Sequence, residues 1–282
     1  MTIFILMKRT TYFNEALLNN ITPEFAYFLG YFWADGYLSK QGKTKSVLVL
    51  EIVEKDANSI KHIIDKIGIF SFWQRKTDNR IDQKRQKSTI IRVSNKNLYS
   101  FLVEFNYLNK KNQSFKKILE YIPIKLQKYF IRGYFDGDGC IFSNKNEGYI
   151  NFASTYEQDW EFLLNYLSKF EISTYVIKRK EGGSILISSK KLSIINFFKN
   201  FYSEDNIYLK RKYDKLKEHV KYIETLPSVN KPIIQLTLND VPIKEWESAR
   251  KASRELNIHQ SSILNVLKER CKTGKGYKWK YK

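Results

Sequence analysis

Two segments of the chain, about a hundred residues apart, share an unusual ending. The first reads Phe-Leu-Gly-Tyr-Phe-Trp-Ala-Asp-Gly over residues 28–36, and the second reads Ile-Arg-Gly-Tyr-Phe-Asp-Gly-Asp-Gly over residues 131–139. Each is typical of an apolar helix that stops on an acid. A carboxylate in the last helical turn faces unpaired carbonyl groups and is destabilised there by about 0.3–1 kcal/mol, and a nearby cation would reverse that sign.

Small residues recur four positions apart within each segment. Gly30 and Ala34 lie on one face of the first predicted helix, and Gly133 and Gly137 lie on one face of the second. Residues four apart project from the same side of a helix, so each helix offers a flat surface where another backbone can approach closely. The pattern predicts that the two helices pack against each other along these faces.

The predicted helix ends bring two acids together. If the helices pack side by side and end with Gly36 and Gly139 in the C′ position, then Asp35 and Asp138 arrive at one edge. Two carboxylates a few ångströms apart either share a proton or bind a divalent metal ion. For one isolated instance, the simpler interpretation of an Asp-Gly pair is a turn that follows a buried helix.

The repetition favours duplication over coincidence. The acids are separated by 138 − 35 = 103 residues, and a basic cluster recurs at nearly the same offset, with Lys111 and Lys212 separated by 212 − 111 = 101 residues. Self-similarity at one spacing is the signature of a repeated structural unit.

With both segments present, the chain resembles the LAGLIDADG homing endonucleases of the single-chain, two-repeat kind, over roughly residues 22–222. The resemblance implies an α+β fold with two pseudo-symmetric αββαββα repeats, which we place at residues 1–120 and 121–226. It implies signature helices at the interface and strands that form a saddle over DNA. Because one chain supplies both halves of the active site, we expect a monomer.

The resemblance also implies the residues of the site. The acids Asp35 and Asp138 would hold catalytic metal ions, with the backbone carbonyls of Ala34 and Gly137 as further ligands. Since all these ligands are oxygen atoms, Mg²⁺ is the expected metal. The sixth position of the motif, often acidic in the family, is Asp136 in the second copy and a tryptophan in the first.

Active-site lysines are a further expectation from the family. Lys111 and Lys212 match the lysines that order water around the scissile phosphate. Each sits in a basic cluster, beside Lys110 in the first repeat and Lys210 and Arg211 in the second, so the assignment stays open within each cluster.

The activity implied by the resemblance is site-specific cleavage of double-stranded DNA, by metal-dependent phosphodiester hydrolysis that leaves 3′ overhangs. Two alternatives remain open. Proteins of this family also act as maturases that bind intron RNA, and a chain can keep the fold as a DNA-binding regulator that does not cleave. The presence of both acids favours the nuclease.

Composition agrees with a polyanionic partner. The chain has 49 Lys and Arg against 29 Asp and Glu, a net charge of +20 and a pI near 9.6. Such charge favours nucleic acid. No apolar run approaches the ~18 residues that span a bilayer, so we expect no membrane partner and a cytoplasmic location, in bacteria or from a phage, or an organellar one.

Strand patterns predict two basic ribbons. In the first repeat we predict a helix at 56–67 and strands at Ser46–Val53, 73–76 and 89–94. In the second repeat we predict a helix at 157–170 and strands at Gly148–Ser154, 175–180 and 184–188, with Gly182-Gly183 as a hairpin turn. Two-stranded ribbons fit the major groove. The candidate DNA-binding residues on them are Arg75, Lys76, Arg80, Lys84, Arg85, Lys87, Arg92, Lys178, Arg179 and Lys180. Because the ribbons differ, we expect a long asymmetric target.

A third unit is predicted over residues 231–282, after a linker rich in Pro and Ser. A strand at 233–238 precedes helices at 248–256 and 259–268, which is the layout of a helix-turn-helix. The segment resembles the NUMOD-type DNA-binding modules attached to homing nucleases. Its candidate DNA-binding residues are Gln260, Ser261, Asn265 and Lys268. The alternative is a small helical cap packed on the nuclease.

Overall fold

The structure is a computed structural model that describes residues 11–41, 45–74, 87–110, 114–144, 148–179, 182–202, 205–225 and 231–282. The chain divides into two compact units, Met1–His219 and Val220–Lys282.

The described part of residues 11–225 forms two repeats whose main helices and strands follow the same order, with β1 and β4 found in the first repeat. The first repeat comprises β1 (Tyr12–Phe13), α1 (Pro23–Asp35), β2 (Gly36–Gln41), β3 (Lys45–Val53), α2 (Glu54–Ile64), β4 (Gly68–Ile69), β5 (Ser71–Gln74), β6 (Ser88–Ser94), α3 (Lys96–Glu104) and α4 (Lys116–Tyr121). The second comprises α5 (Ile124–Asp138), β7 (Gly139–Ser143), β8 (Gly148–Ser154), α6 (Glu161–Ser168), β9 (Tyr175–Arg179), β10 (Gly183–Ser188), α7 (Lys191–Phe201) and α8 (Lys210–Thr225).

Each repeat folds into one four-stranded antiparallel sheet. The strand order is β2-β3-β6-β5 in the first repeat and β7-β8-β10-β9 in the second, so equivalent strands occupy equivalent places. The short strands β1 and β4 form a separate two-stranded sheet. The α+β fold of two αββαββ-type repeats, expected from the sequence, is confirmed.

Helix α1 is the most buried element of the first repeat. Its start is defined by Thr22, whose hydroxyl accepts the Phe25 N–H at 3.3 Å, and by Pro23 in the first turn. Every residue from Phe25 to Trp33 is buried, which requires packing on all sides.

The predicted strands are largely confirmed, because they are rich in β-branched and apolar residues, most of which are buried. Several boundaries differ. The helix predicted over 56–67 spans Glu54–Ile64, and the strand predicted over 233–238 ends at Leu236. The strand predicted from Trp73 begins at Ser71. The helix predicted from Glu157 begins at Glu161, directly after a turn in which the Asp159 carboxylate accepts the Glu161 N–H at 2.9 Å.

The helix-ending glycines also differ from expectation. Gly36 and Gly139 directly cap α1 and α5 with φ of −78° and −82°, in extended rather than left-handed backbone. The chain thus passes straight from each helix into a strand. Glycine is required for space: a Cβ would lie 2.4 Å from the Phe32 ring at Gly36 and 2.3 Å from the Phe135 ring at Gly139.

The second unit is a three-stranded antiparallel sheet with two helices. Its elements are β11 (Ile233–Leu236), β12 (Pro242–Trp246), α9 (Ala249–Glu255), α10 (Gln260–Leu267) and β13 (Lys278–Tyr281), with strand order β12-β11-β13. The sequence predicted the helices and the first strand. Its core consists of Ile233, Trp246, Ala249, Ala252, Ile263, Val266 and Trp279.

Among the helices in the described part of the chain, none is both long enough and apolar enough to cross a membrane.

Candidate active site

The site is built on direct backbone contact between α1 and α5. A Cβ added at Gly30 would lie 1.9 Å from the carbonyl oxygen of Phe130, and one added at Gly133 would lie 2.1 Å from that of Tyr27. No side chain larger than hydrogen fits at either position, and the two contacts are related by the repeat. The predicted packing of the small-residue faces is confirmed.

The helix ends place the two acids in one cleft. A Cβ at Gly137 would lie 2.3 Å from the Cβ of Ala34 and 3.4 Å from Asp35 Oδ2, so α1 and α5 remain in contact to their last turns. Asp35 and Asp138 both line an open cleft of about 720 Å³, together with Lys110. The structure therefore brings the two predicted acids together.

A lysine ammonium caps each helix end. Lys110 Nζ donates to the carbonyl oxygens of Trp33, Ala34 and Gly36 at 2.7, 2.9 and 2.7 Å. In these positions a cation satisfies orphan carbonyls and offsets the negative end of the helix dipole, by up to ~2 kcal/mol where it is partly buried.

The second repeat has the same arrangement. Lys212 Nζ donates to the carbonyl oxygens of Phe135, Asp136 and Gly139 at 2.8, 2.7 and 2.6 Å, and to that of Gly137 at 3.3 Å. In both copies a cation thus lies at the end of the acid-terminated helix, where it offsets the unfavourable interaction between the carboxylate and the helix dipole.

The cleft perturbs the acids through burial and mutual repulsion. Burial raises the pKa of Asp35, opposed by the charges of Lys212 and Lys110. Burial, followed by the charge of Asp35, raises the pKa of Asp138 to about 6. Burial lowers the pKa of Lys212 to about 8, opposed by Asp136. Repulsion between two partly buried carboxylates is the condition that a bound divalent cation relieves.

The repeats differ at the sixth motif position. In the second repeat Asp136 is fully buried and accepts three hydrogen bonds, from Tyr27 Oη at 2.7 Å, Tyr202 Oη at 2.6 Å and the Leu209 N–H at 2.8 Å. Tyr27 belongs to the first repeat, so the support of the second helix end crosses the repeat interface.

In the first repeat a tyrosine takes over this supporting role. Tyr107 Oη donates to the carbonyl oxygens of Phe32 and Gly36, at 2.7 and 2.5 Å, and its ring packs edge-on against Trp33 at 5.3 Å. The tryptophan that stands where the family often has an acid therefore packs against an aromatic ring, and the hydroxyl of that tyrosine bonds the carbonyl groups at the helix end.

The structure does not test one of the two predicted lysines. Lys111 lies outside the described residues, and it is its neighbour Lys110 that contacts the helix end. Tyr107 precedes Lys110 by three residues, as Leu209 precedes Lys212. This shared spacing, with an offset of 212 − 110 = 102, could have selected Lys110 from the sequence. The carbonyls of Ala34 and Gly137 accept lysine hydrogen bonds, and each carbonyl oxygen has a second lone pair.

The predicted DNA-binding residues are only partly described. Arg75, Lys76, Arg80, Lys84, Arg85 and Lys180 lie outside the described residues. Lys87 is exposed just before β6, and the Arg92 guanidinium stacks over the Trp73 ring at 4.5 Å. Arg179 and Lys178 are both exposed but alternate to opposite faces of β9, with Lys178 over the Tyr156 ring at 5.3 Å.

In the second unit, the predicted residues lie on α10 away from its core side. Ile263 and Val266 are buried, Ser261 and Lys268 are exposed, and Gln260 and Asn265 are half-buried. Whether these side chains contact DNA stays a prediction.

The donor set of the cleft fits a hard divalent cation. Asp35 and Asp138 provide carboxylate oxygens, the ligand type that Mg²⁺ prefers. Among the residues that the structure describes, no group of three or more His, Cys, Asp or Glu side chains could hold a metal ion. The remaining coordination would come from backbone carbonyls, water or substrate oxygens.

Comparison with known proteins agrees with this geometry. The family described as the LAGLIDADG-like domain matches residues 22–106 and 125–218, one match for each repeat. Since these matches cover more than half of the chain, the protein belongs to the LAGLIDADG family. Residues 242–280 match a second family, described as the DNA endonuclease I-HmuI-like, NUMOD-like domain.

Solved structures with a similar fold include two homing endonucleases. I-WcaI bound to its DNA recognition sequence is 17% identical with a TM-score of 0.49, over 73% of this chain and 91% of that one. I-GzeII in complex with its DNA target is 13% identical with a TM-score of 0.45, over 72% and 90%.

Curated relatives come from Methanocaldococcus jannaschii. The DNA-directed RNA polymerase subunit Rpo1C is 25% identical over 258 residues, which are 85% of this chain and 28% of the relative. An uncharacterized protein is 28% identical over 188 residues, 64% of this chain and 60% of the relative. The chain thus spans less than two thirds of the length of either relative.

Proposed function

We propose that this protein is a site-specific DNA endonuclease that hydrolyses one phosphodiester bond in each strand of a duplex. The observation that carries the proposal is the pair of acids in one cleft, Asp35 and Asp138, each at the end of a lysine-capped helix. Membership of the LAGLIDADG family supports it, since similar structures are homing endonucleases solved with their DNA.

The two acids would hold divalent metal, most simply Mg²⁺. A metal ion bound there would act as a Lewis acid on the scissile phosphate. The chain's own contribution is to position the acids: α1 and α5 hold them at a separation set by backbone contact, and Lys110 and Lys212 fix the helix ends. These lysines would also place positive charge beside the phosphate.

Cleavage of both strands follows from the duplication. Each repeat presents an acid, a capping lysine and a sheet in equivalent places, so each would serve one strand. We propose that the cuts are staggered and leave 3′ overhangs. The target should be long and asymmetric, because the two sheets carry different side chains.

The second unit would extend the contact with DNA. Its match to a NUMOD-like domain and the exposed Ser261 and Lys268 on α10 support this role. The Lys268→Ala variant should shorten the protected length of DNA on one side of the target. Lys251→Ala, on α9 and paired with Glu247 at 2.8 Å, is the control that should leave the footprint unchanged.

The test is cleavage of a library of long duplexes in Mg²⁺, with the ends of the products sequenced. Staggered cuts at one site, lost in Asp35→Asn and in Asp138→Asn, would support the proposal. Asp214→Asn is the matched control, because that carboxylate pairs with Lys210 on the surface. Tight DNA binding without cutting would instead indicate a regulator, and preferential binding to intron RNA would indicate a maturase.

Metal binding can be tested without activity. In buffer cleared of divalent ions, addition of Mg²⁺ should raise the melting temperature of the parent chain, because binding only to the native state stabilises it. The double variant Asp35→Asn, Asp138→Asn should lose that response. A response of equal size in the double variant would exclude this cleft as the metal site.

A further inference from the structure

The second sheet exposes an apolar surface on the side opposite its core. Strand alternation and the pairing of Phe142 with Tyr149, and of Ile185 with Ile177, place these side chains on one face. Phe142 is 39% exposed and the other three are half-buried. We call this surface the apolar face; it consists of Phe142, Tyr149, Tyr175, Ile177 and Ile185, together with the buried Ile187. The exposed Cys140 and the buried Asn151 lie on the same side.

The apolar face contains little charge. Tyr175, which pairs with Ile187 on the same side, is 49% exposed. Among the described residues on this side of the sheet, the charged side chain is Arg179, at the hairpin end of β9. In a protein of net charge +20, exposed aromatics beside which Arg179 is the one described charged side chain indicate a contact made mainly by apolar groups.

This face is continuous with the cleft of the two acids. Ala153, on the same side of the sheet and paired with Ile185, lines the cleft with Asp138. Gly183, which pairs with Arg179, lines it too. A duplex that places a phosphate at Asp138 must therefore pass over the apolar face.

The corresponding side of the first sheet also exposes two aromatics, Tyr37 and Trp73, each 49% exposed, but it adds charged side chains. It carries Glu51, whose carboxylate accepts from Ser88 Oγ at 2.7 Å, and Arg92, which stacks on Trp73. Glu51 and Arg92 belong to neighbouring strands and project to the same side, since Glu51 pairs with Ile90 and Val49 with Arg92. Hydrogen-bonding groups of both signs are thus available in the first repeat.

We propose that the second repeat recognises its half of the target through the 5-methyl groups of thymines in the major groove, and that the first repeat reads base edges by hydrogen bonds. This inference rests on the proposed function. Thymine presents the one apolar group among the base edges of that groove. An apolar side chain gains by covering a methyl, whereas covering an amino or carbonyl edge leaves a polar group without a partner.

The test begins with selection by binding. Duplexes that bind the full-length chain are recovered from a randomised library in metal-free buffer, and the thymidines of one half at a time are replaced by deoxyuridine. This change removes only the methyl groups and keeps base pairing and the polar edges. We expect affinity to fall about fourfold for each contacted methyl in one half, with little change in the other.

Protein variants assign the half and provide the control. Phe142→Ala and Tyr175→Ala, both at exposed positions, should remove the sensitivity to deoxyuridine in that half. Trp73→Ala, an exposed aromatic of the first sheet with 49% exposure, should leave it intact.

The inference is overturned if deoxyuridine changes affinity in neither half, or if the sensitivity persists unchanged in Phe142→Ala and Tyr175→Ala. Failure of the proposed function is distinguishable, because selection does not depend on cleavage. If the chain binds a selected, methyl-sensitive site and does not cut it, the proposed hydrolysis is contradicted and the inference about thymine methyl groups stands. A chain for which no sequence is selected would contradict both.

Discussion

Replacing Gly30 with alanine tests the contact that sets the geometry of the cleft. The new Cβ would lie 1.9 Å from the Phe130 carbonyl oxygen, where ordinary contact begins near 3.4 Å, so the helices must separate by about 1.5 Å. The obstacle is backbone, which no rotamer change can relieve. Overpacking costs about 1–3 kcal/mol, and we take the upper end here. Alanine returns about 1 kcal/mol through helix propensity.

The expected result is a net loss of about 2 kcal/mol in the free energy of unfolding, measured by urea denaturation with tryptophan fluorescence. Gly182→Ala is the control, since its nearest neighbouring atoms would lie at 3.7 and 3.9 Å; it should be close to neutral. Separation of the helices also displaces Asp35 from Asp138, and a misplacement of about 1 Å can cost ~10²-fold in rate. Cleavage should therefore fall much more than DNA affinity.

A Gly30→Ala variant as stable as the parent, with unchanged cleavage, would refute this reasoning. It would mean that α1 and α5 adjust without cost, and that the small-residue faces do not determine the distance between the acids.

Three further predictions concern charge. Because the pKa of Asp138 is raised to about 6, the native state binds that proton more tightly than the unfolded state. The free energy of unfolding in EDTA should therefore fall as the pH rises from about 4 to 6. Urea titrations across this pH range should show that Asp138→Asn removes about 2 kcal/mol of that fall. Asp136→Asn should destabilise the fold by about 3 kcal/mol, since the amide replaces an acceptor oxygen with a donor among three buried hydrogen bonds, whereas Asp214→Asn on the surface should cost under ~0.5 kcal/mol; equal losses would contradict this. Lys110→Met or Lys212→Met should each slow one strand's cut, so that nicked plasmid accumulates; linear product at the parent rate would exclude the role.

The strands and helices of the repeats were predictable because their apolar residues recur with the periods of buried elements. Ser46–Val53 and Gly148–Ser154 contain short, mainly apolar runs, and the structure has strands there with consecutive buried residues. Strand β12 was not predicted, because Pro242 to Glu245 are all exposed and only Trp246 is buried. An element held mainly by backbone pairing leaves little periodicity in its side chains.

The paired helices and their acids were also predictable. Gly30 and Gly133 sit at matching positions in two copies of one motif, and such pairs indicate close helix contact whatever surrounds them. That Asp35 and Asp138 meet follows from the same symmetry. Their roles in catalysis stay predictions.

The sequence by itself therefore determined the duplication, the helix pairing and the meeting of the acids, since all three depend on local spacing repeated twice. The tertiary structure decided which lysine reaches each helix end. Lys110 and Lys111 are adjacent in the sequence, and the local pattern does not show which of the two points toward the helix. It also decided that Tyr107 packs against Trp33 and bonds the carbonyl groups at the end of α1. These contacts join residues about seventy positions apart, and only the packed chain brings them within hydrogen-bonding distance.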